Sequence, residues 1–190
     1  MPITILDPST ALIVIDLQKG IVNGNFIHPI GEIIDRTRAL MDAFRAKNLP
    51  VVLVKVAGRA PGRTEQAPRG NTAFSEGWTD LLPQLNRRPS DIVVTKRSWG
   101  AFATTDLECQ LKARGVTQVV VTGVVTSGGV EATARQAYEQ GFNVTLALDA
   151  MTDIREDAHE YCIRNVFPRV GETGSTEGII SLLENGSSAL

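Results

Sequence analysis

Cysteine is scarce in this 190-residue sequence: Cys109 and Cys162 are the only two, far apart and outside any CxxC spacing. That argues against a disulfide framework and points to a reducing compartment. A surplus of either charge is missing too. Nineteen Lys and Arg meet 21 Asp and Glu, for a net charge of −2, without the basic footprint of a nucleic-acid binder. Long apolar runs are absent. The first one, Ala11–Ile15, is far short of the ~20 residues that cross a bilayer as a helix. No basic stretch or small-residue cleavage pattern accompanies it, so the expectation is a cytoplasmic protein with no membrane partner. The two histidines, His28 and His159, show no HExxH or similar spacing, and no metal site is expected. Neither a Walker loop nor GxGxxG is present, and no cofactor is expected.

What is there fits one globular domain spanning 1–190. Apolar residues make up 43% and charged residues 21%, near the average for folded domains. Five short runs are rich in Val, Ile and Leu: Ala11–Ile15, Val51–Val56, Ile92–Val94, Val119–Val121 and Val144–Leu148. Most do not alternate apolar with polar, which predicts strands buried on both faces. Helical patterns lie between them, over Ile30–Lys47, Thr105–Arg114, Val130–Gln140 and Glu156–Val166, the last stopping before Pro168. A further strand near Arg169–Glu172 and a helix from Thr176 to Leu183 complete the pattern. Strands alternating with helices predict a Rossmann-like α/β fold: a three-layer α/β/α sandwich on a mainly parallel sheet of about six strands. Cys109 and Cys162 fall inside helical patterns, and both are expected to be buried.

One segment breaks the rhythm. Residues 57–79 are rich in Gly, Pro and Arg and long for a plain connection, so they read as a lid-like loop at the carboxyl edge of the sheet. Arg59, Arg63 and Arg69 offer forks for a carboxylate. A solvated loop is the simpler account of at least two of them.

The carboxyl ends of the strands collect the chemistry. Asp16 closes the first strand and Lys96 the third. Each alone reads equally as a solvated strand end. Together, a lysine at the height of the acid would tune its protonation. The fourth strand runs into Thr122-Gly-Val-Val-Thr-Ser-Gly-Gly-Val130, where free backbone N–H groups at a helix start would suit an anion. The plainer alternative is a tight turn with Thr126 or Ser127 as N-cap.

These strand ends together resemble the isochorismatase-like hydrolase superfamily. The likeness runs from Ala11 to Leu183. It is carried by Ala11-Leu-Ile-Val-Ile-Asp-Leu-Gln18, Lys96-Arg-Ser-Trp-Gly-Ala-Phe102, Gly115–Thr126 with Val130–Arg135, Asp149–Asp153, His159-Glu-Tyr161 and Asn165–Pro168. The resemblance implies a hydrolase acting on a small molecule. In most members an Asp, Lys, Cys triad cleaves amides. Asp16 and Lys96 match the first two, and Gly129 stands where the nucleophilic cysteine would be. Isochorismatases proper share that glycine and cleave a vinyl ether without an acyl intermediate. The resemblance thus implies Asp16 as acid, Lys96 as its partner, and Gly129 as the vacant nucleophile position. Gln18, Val125, Thr126, Ser127 and Gly128 would face the substrate, and Trp99 and Phe102, close to Lys96 in the sequence, either line the same pocket or pack in the core. It also implies a cis peptide at Val124–Val125 and a homo-oligomer, dimer or tetramer.

Three other readings stay open on the sequence. One is a binding homologue without turnover, and another an amidase whose cysteine has been replaced by Gly129. The third has Ser127 or Thr126 in place of the thiol, though no histidine is visibly set to activate a hydroxyl.

Overall fold

Apolar residues on both faces of each strand build the centre of the molecule. In the computed structural model, which describes residues 3–65 and 74–186, the strands are β1 (Thr10–Ile15), β2 (Val51–Val56), β3 (Ile92–Lys96), β4 (Gln118–Val124), β5 (Asn143–Thr152) and β6 (Glu172–Gly174). All neighbours pair in parallel, in the order β3-β2-β1-β4-β5-β6. The strand order reverses between β1 and β4, and open α/β sheets bind ligands outside the carboxyl ends of the strands at such a point.

Successive side chains of β1 point to opposite layers, and both layers are packed. Ile13 and Ile15 face Leu107, Leu111, Ala134 and Phe167. Leu12 and Val14 face Leu40, Met41, Phe44 and Ile179. The first layer is made by α3 (Leu107–Lys112), α4 (Glu131–Glu139) and α6 (Phe167–Val170); the second by α2 (Ile30–Ala46) and α7 (Thr176–Asn185). Short helices α1 (Lys19–Val22) and α5 (Glu156–Tyr161) sit at the carboxyl edge.

Three expectations need correction. The last strand lies at Glu172–Gly174, because the chain stays helical to Val170. The helical run from Glu156 passes through a π turn at Cys162–Val166 and continues past Pro168. Pro168 falls in the first turn of α6, directly after that π turn. Cys109 is exposed while Cys162 is buried. Leu107 and Leu111 are the residues α3 turns inward, and Cys109, two positions from each, falls on the opposite side.

Between Val121 and Gly123 of β4, the partner strand β5 advances from Leu146 to Met151, so β5 bulges there. Gly123 has φ +112°, and a Cβ on it would lie 2.2 Å from the Ile15 carbonyl oxygen. Only glycine permits β1 and β4 to run this close just below the site.

Candidate active site

Asp16 follows directly on β1 in the left-handed region, with φ 53°. Few residues other than glycine accept that conformation, and aspartate is one of them. Its N–H still donates to the Val54 carbonyl and its own carbonyl accepts from Gln18 N–H. The chain therefore turns sharply while staying tied to β2.

Lys96 ends β3, two strands away. Its stem crosses the end of β2 and brings Nζ to 2.8 Å from Asp16 Oδ2. Nζ also donates to the Trp99 carbonyl at 2.5 Å. Lys96 is 1% exposed and Asp16 6%, so neither is a solvated strand end. Asp16 Oδ1 is buried with no hydrogen-bond partner among the described residues. Burial pushes the Asp16 carboxyl from 3.8 up to about 6; the Lys96 charge and hydrogen bond pull the other way and lose.

Gly129 closes the triangle. A Cβ built on it would stand 3.0 Å from Asp16 Oδ2, 3.0 Å from Lys96 Nζ and 2.8 Å from Ile15 Cγ2. Gly129 belongs to a π turn, Thr126–Val130, that leads from β4 into α4. The Val124–Val125 peptide before it is cis.

This turn differs from the expected one. No side chain caps it. Two of its N–H groups are engaged within the protein: Ser127 N–H goes to Asp153 Oδ2 at 2.6 Å and Gly128 N–H to the Val125 carbonyl at 3.0 Å. Thr126 is fully buried and its Oγ1 lies 2.9 Å from His159 Nδ1. The Gly129 carbonyl accepts from Thr133, whose hydroxyl also takes the Ala101 N–H. Thr133 thus ties the glycine turn to the loop that carries Trp99.

The remaining expected residues divide. Gln18 is fully buried and clamps backbone: Oε1 accepts Val56 N–H, and Nε2 donates to the Val56 and Trp78 carbonyls. Phe102 is buried against Phe142 in the core, ring centroids 5.9 Å apart. Trp99 meets the site through its carbonyl, and the residue is 69% exposed. Val125 is half-buried and packs against the layer of α2 and α7. Of the loop at 57–79, Arg59 and Arg63 are exposed and Arg69 lies outside the described residues. Trp78 packs so tightly on Gly20 that a Cβ there would be 2.2 Å from the indole, and Phe74 stacks on it at 4.1 Å.

Two relationships escaped sequence reasoning. His28 and His159, far apart in sequence, meet edge to face at 5.1 Å. Asp153 reaches the glycine turn. No spacing rule signals either, since both join segments separated by long stretches of chain. Among the described residues no group of three His, Cys, Asp or Glu is placed to hold a metal. No helix among them is long and apolar enough to cross a membrane. Burial raises the Cys162 thiol to about 11, so it is not a thiolate nucleophile.

Chemically, the site offers a buried acid with one free oxygen, a fixed ammonium, and a side-chain-free position facing both. The profile of the isochorismatase family, described as an isochorismatase domain, matches residues 10–178. An uncharacterized isochorismatase family protein of Bacillus subtilis (strain 168) is 38% identical over 174 residues, 88% of this chain and 90% of its own length. The solved structure of an isochorismatase family protein from Burkholderia thailandensis superposes with a TM-score of 0.89 at 37% identity, over 95% of this chain and 98% of that one. Streptothricin hydrolase of Streptomyces noursei is 38% identical over 74% of this chain and 48% of its own length.

Proposed function

The chain belongs to the isochorismatase family of hydrolases, and from that premise we propose that it cleaves a small carboxylated vinyl ether of the isochorismate type, with Asp16 as acid and Lys96 as its partner. The observation that carries this reading is the vacant position on Gly129, 3.0 Å from both groups. A covalent acyl mechanism needs a nucleophile there, and glycine supplies none. Vinyl-ether cleavage needs a proton instead. Asp16 Oδ2 is held by Lys96, while Oδ1 is buried and unpartnered, so Oδ1 is the atom to hold the proton and give it up.

Protonation of the terminal enol-ether carbon forms a C–H bond and leaves an oxocarbenium ion. Water adds to that ion, and the hemiketal collapses to the alcohol and a 2-oxo acid. Asp16, ionised after the transfer, sits beside the developing cation, and fixed charges in a water-poor site stabilise it strongly. It regains its proton from the water that adds. With its carboxyl held at about 6, Asp16 keeps a useful protonated share near neutral pH.

The test is pyruvate release from isochorismate by the native chain and by Asp16→Asn. Loss of about 10²–10⁴ in rate is expected for the variant, the usual contribution of a positioned acid. No release by the native chain removes isochorismate as substrate. An amidase with its cysteine replaced has less support, because a Cβ at 129 would stand 2.8 Å from Ile15 Cγ2. The same reading has the chain acting in the cytoplasm as a dimer or tetramer. The exposed Trp99, Ile154 and Tyr161 support association, which sedimentation would measure.

A further inference from the structure

Asp153 and His159 take no part in the chemistry above, yet both grip the turn that carries Gly129. Asp153 follows β5 and is 1% exposed. Its Oδ2 accepts Ser127 N–H at 2.6 Å, and its Oδ1 accepts Ile154 and Arg155 N–H at 2.8 and 3.2 Å. Hydrogen bonds to a carboxylate are roughly twice as strong as neutral ones. The carboxylate itself is fixed by its own backbone, whose carbonyl takes Ile27 N–H at 2.9 Å.

His159 comes from a different element, α5, and is 5% exposed. Its Nδ1 is 2.9 Å from Thr126 Oγ1. His28 backs the ring and is itself anchored, with Nδ1 3.0 Å from Thr152 Oγ1. Burial, and then the neighbouring His28, hold the His159 imidazole below its ordinary value. A neutral ring can donate to or accept from the Thr126 hydroxyl.

The two contacts fall on consecutive residues, Thr126 and Ser127, three and two positions before Gly129. π turns are rare and concentrate at functional sites. A turn of this kind, with no side-chain cap of its own, depends on outside partners for its place.

We propose that Asp153 and His159 are positioning residues that clamp the Thr126–Val130 turn and so set how closely Gly129 covers the Asp16–Lys96 pair. The proposal rests on the reading of that pair as the reacting site, but it has consequences that need no substrate. With the clamp intact, the turn keeps water from Asp16. With the clamp cut, water reaches the carboxylate and the main cause of its raised titration weakens.

The experiment uses the full chain with Asp153→Ala, His159→Leu and the conservative pair Asp153→Asn and His159→Asn. Asparagine at 159 keeps a polar group near the place of Nδ1. Carboxyl ¹³C titration of Asp16 and the Gly129 amide resonance are read by NMR, and pyruvate release where the native chain shows it. The disruptive variants are expected to move Asp16 down from about 6 toward the ordinary carboxylate range and to shift the Gly129 amide. They should cut kcat about a hundredfold, as small misplacements do, with KM little changed. The asparagine variants should show the same changes in reduced size, because asparagine at 153 offers one accepting oxygen where the carboxylate uses two. Leu183→Ala, in the core layer on the other side of the sheet, should lower stability without moving Asp16.

If the disruptive variants lose stability as Leu183→Ala does but leave Asp16 and Gly129 unmoved, the proposal is overturned. If they do not fold, the asparagine variants decide: an unmoved Gly129 amide in both overturns it, and a shifted one supports it. A native chain without pyruvate release sinks the vinyl-ether reading alone, since both NMR signals still report on the clamp.

Discussion

Lys96 Nζ lies 2.8 Å from Asp16 Oδ2 although β2 runs between their strands. The contact exists because β3 extends past the end of β1: Val56 pairs with Lys96, whereas Ile15 pairs with Val54. The lysine stem then reaches over the edge of β2 with its charge buried. Lys96→Met would leave the acid without its cation. Breaking one partner of a buried pair typically costs about 3–5 kcal/mol. That loss is expected at pH 8, where Asp16 is ionised, and a smaller one at pH 5, where it is largely protonated. Urea unfolding at both values measures it, and equal losses would contradict the pairing energetics.

Asp16 should also leave a mark on stability with the sign opposite to that of an ordinary salt-bridged acid. Its folded value is raised to about 6 from 3.8. Between those values the folded chain keeps a proton that the unfolded chain has released. Its contribution is therefore fully present below about 4 and is lost as pH rises through about 6, on the order of 3 kcal/mol at 1.36 kcal/mol per pH unit. Asp16→Asn removes this dependence. The difference in unfolding free energy between native chain and variant should shrink or reverse as pH climbs from 4 to 7, and a constant difference would count against a raised Asp16.

A proton donor of this kind fixes the shape of the rate profile. For vinyl-ether cleavage, kcat/KM should be level below about 6 and fall tenfold per pH unit above it, because the free enzyme's acid must be protonated. A profile flat from 5 to 8 would remove Asp16 as the acid.

The sheet was legible because burial on both faces writes itself as short runs rich in apolar residues: β2 is bounded in the sequence where it is in the structure, at Val51–Val56. β6 has the composition Glu-Thr-Gly and no run to read. Pro168 reads as a stop, and a π turn ahead of it lets the helix continue. Asp16 and Lys96 were visible as strand ends, but their meeting depends on strand order, which no local spacing encodes. Gly129 was readable through family resemblance alone. The Asp153–Ser127 and His159–Thr126 bonds join residues 26 and 33 apart and leave no periodic trace.

Trp78 seats the described end of the loop at 57–79 on Gly20, where a Cβ would come within 2.2 Å of three ring carbons. Gly20→Ala must push the indole away. That displaces the Trp78 carbonyl, which takes hydrogen bonds from Gly20 N–H and Gln18 Nε2. Overpacking of this sort costs about 1–3 kcal/mol. Faster tryptic cleavage within 57–79 and a red-shifted tryptophan emission are expected. Unchanged cleavage would mean that the loop is held elsewhere.

Gly129 is the position at which a single methyl should be felt most. Its Cβ would meet Ile15 Cγ2 at 2.8 Å, and Ile15 is fully buried in β1. The other two neighbours, Asp16 Oδ2 and Lys96 Nζ at 3.0 Å, are the groups whose separation matters for proton transfer. Gly129→Ala is expected to lose about 1–3 kcal/mol and to depress turnover through kcat. Gly128→Ala is the matched control, because its Cβ would meet only Val125 Cγ2, at 3.0 Å. It should cost less and leave the Asp16–Lys96 contact alone. Gly129→Cys extends the test, since a thiol must force the same shift before it can react. If that variant folds as well as the native chain and gains amide hydrolysis, the glycine is a lost nucleophile and the vinyl-ether reading falls. If it is destabilised and gains nothing, the site is built around the absence of a side chain.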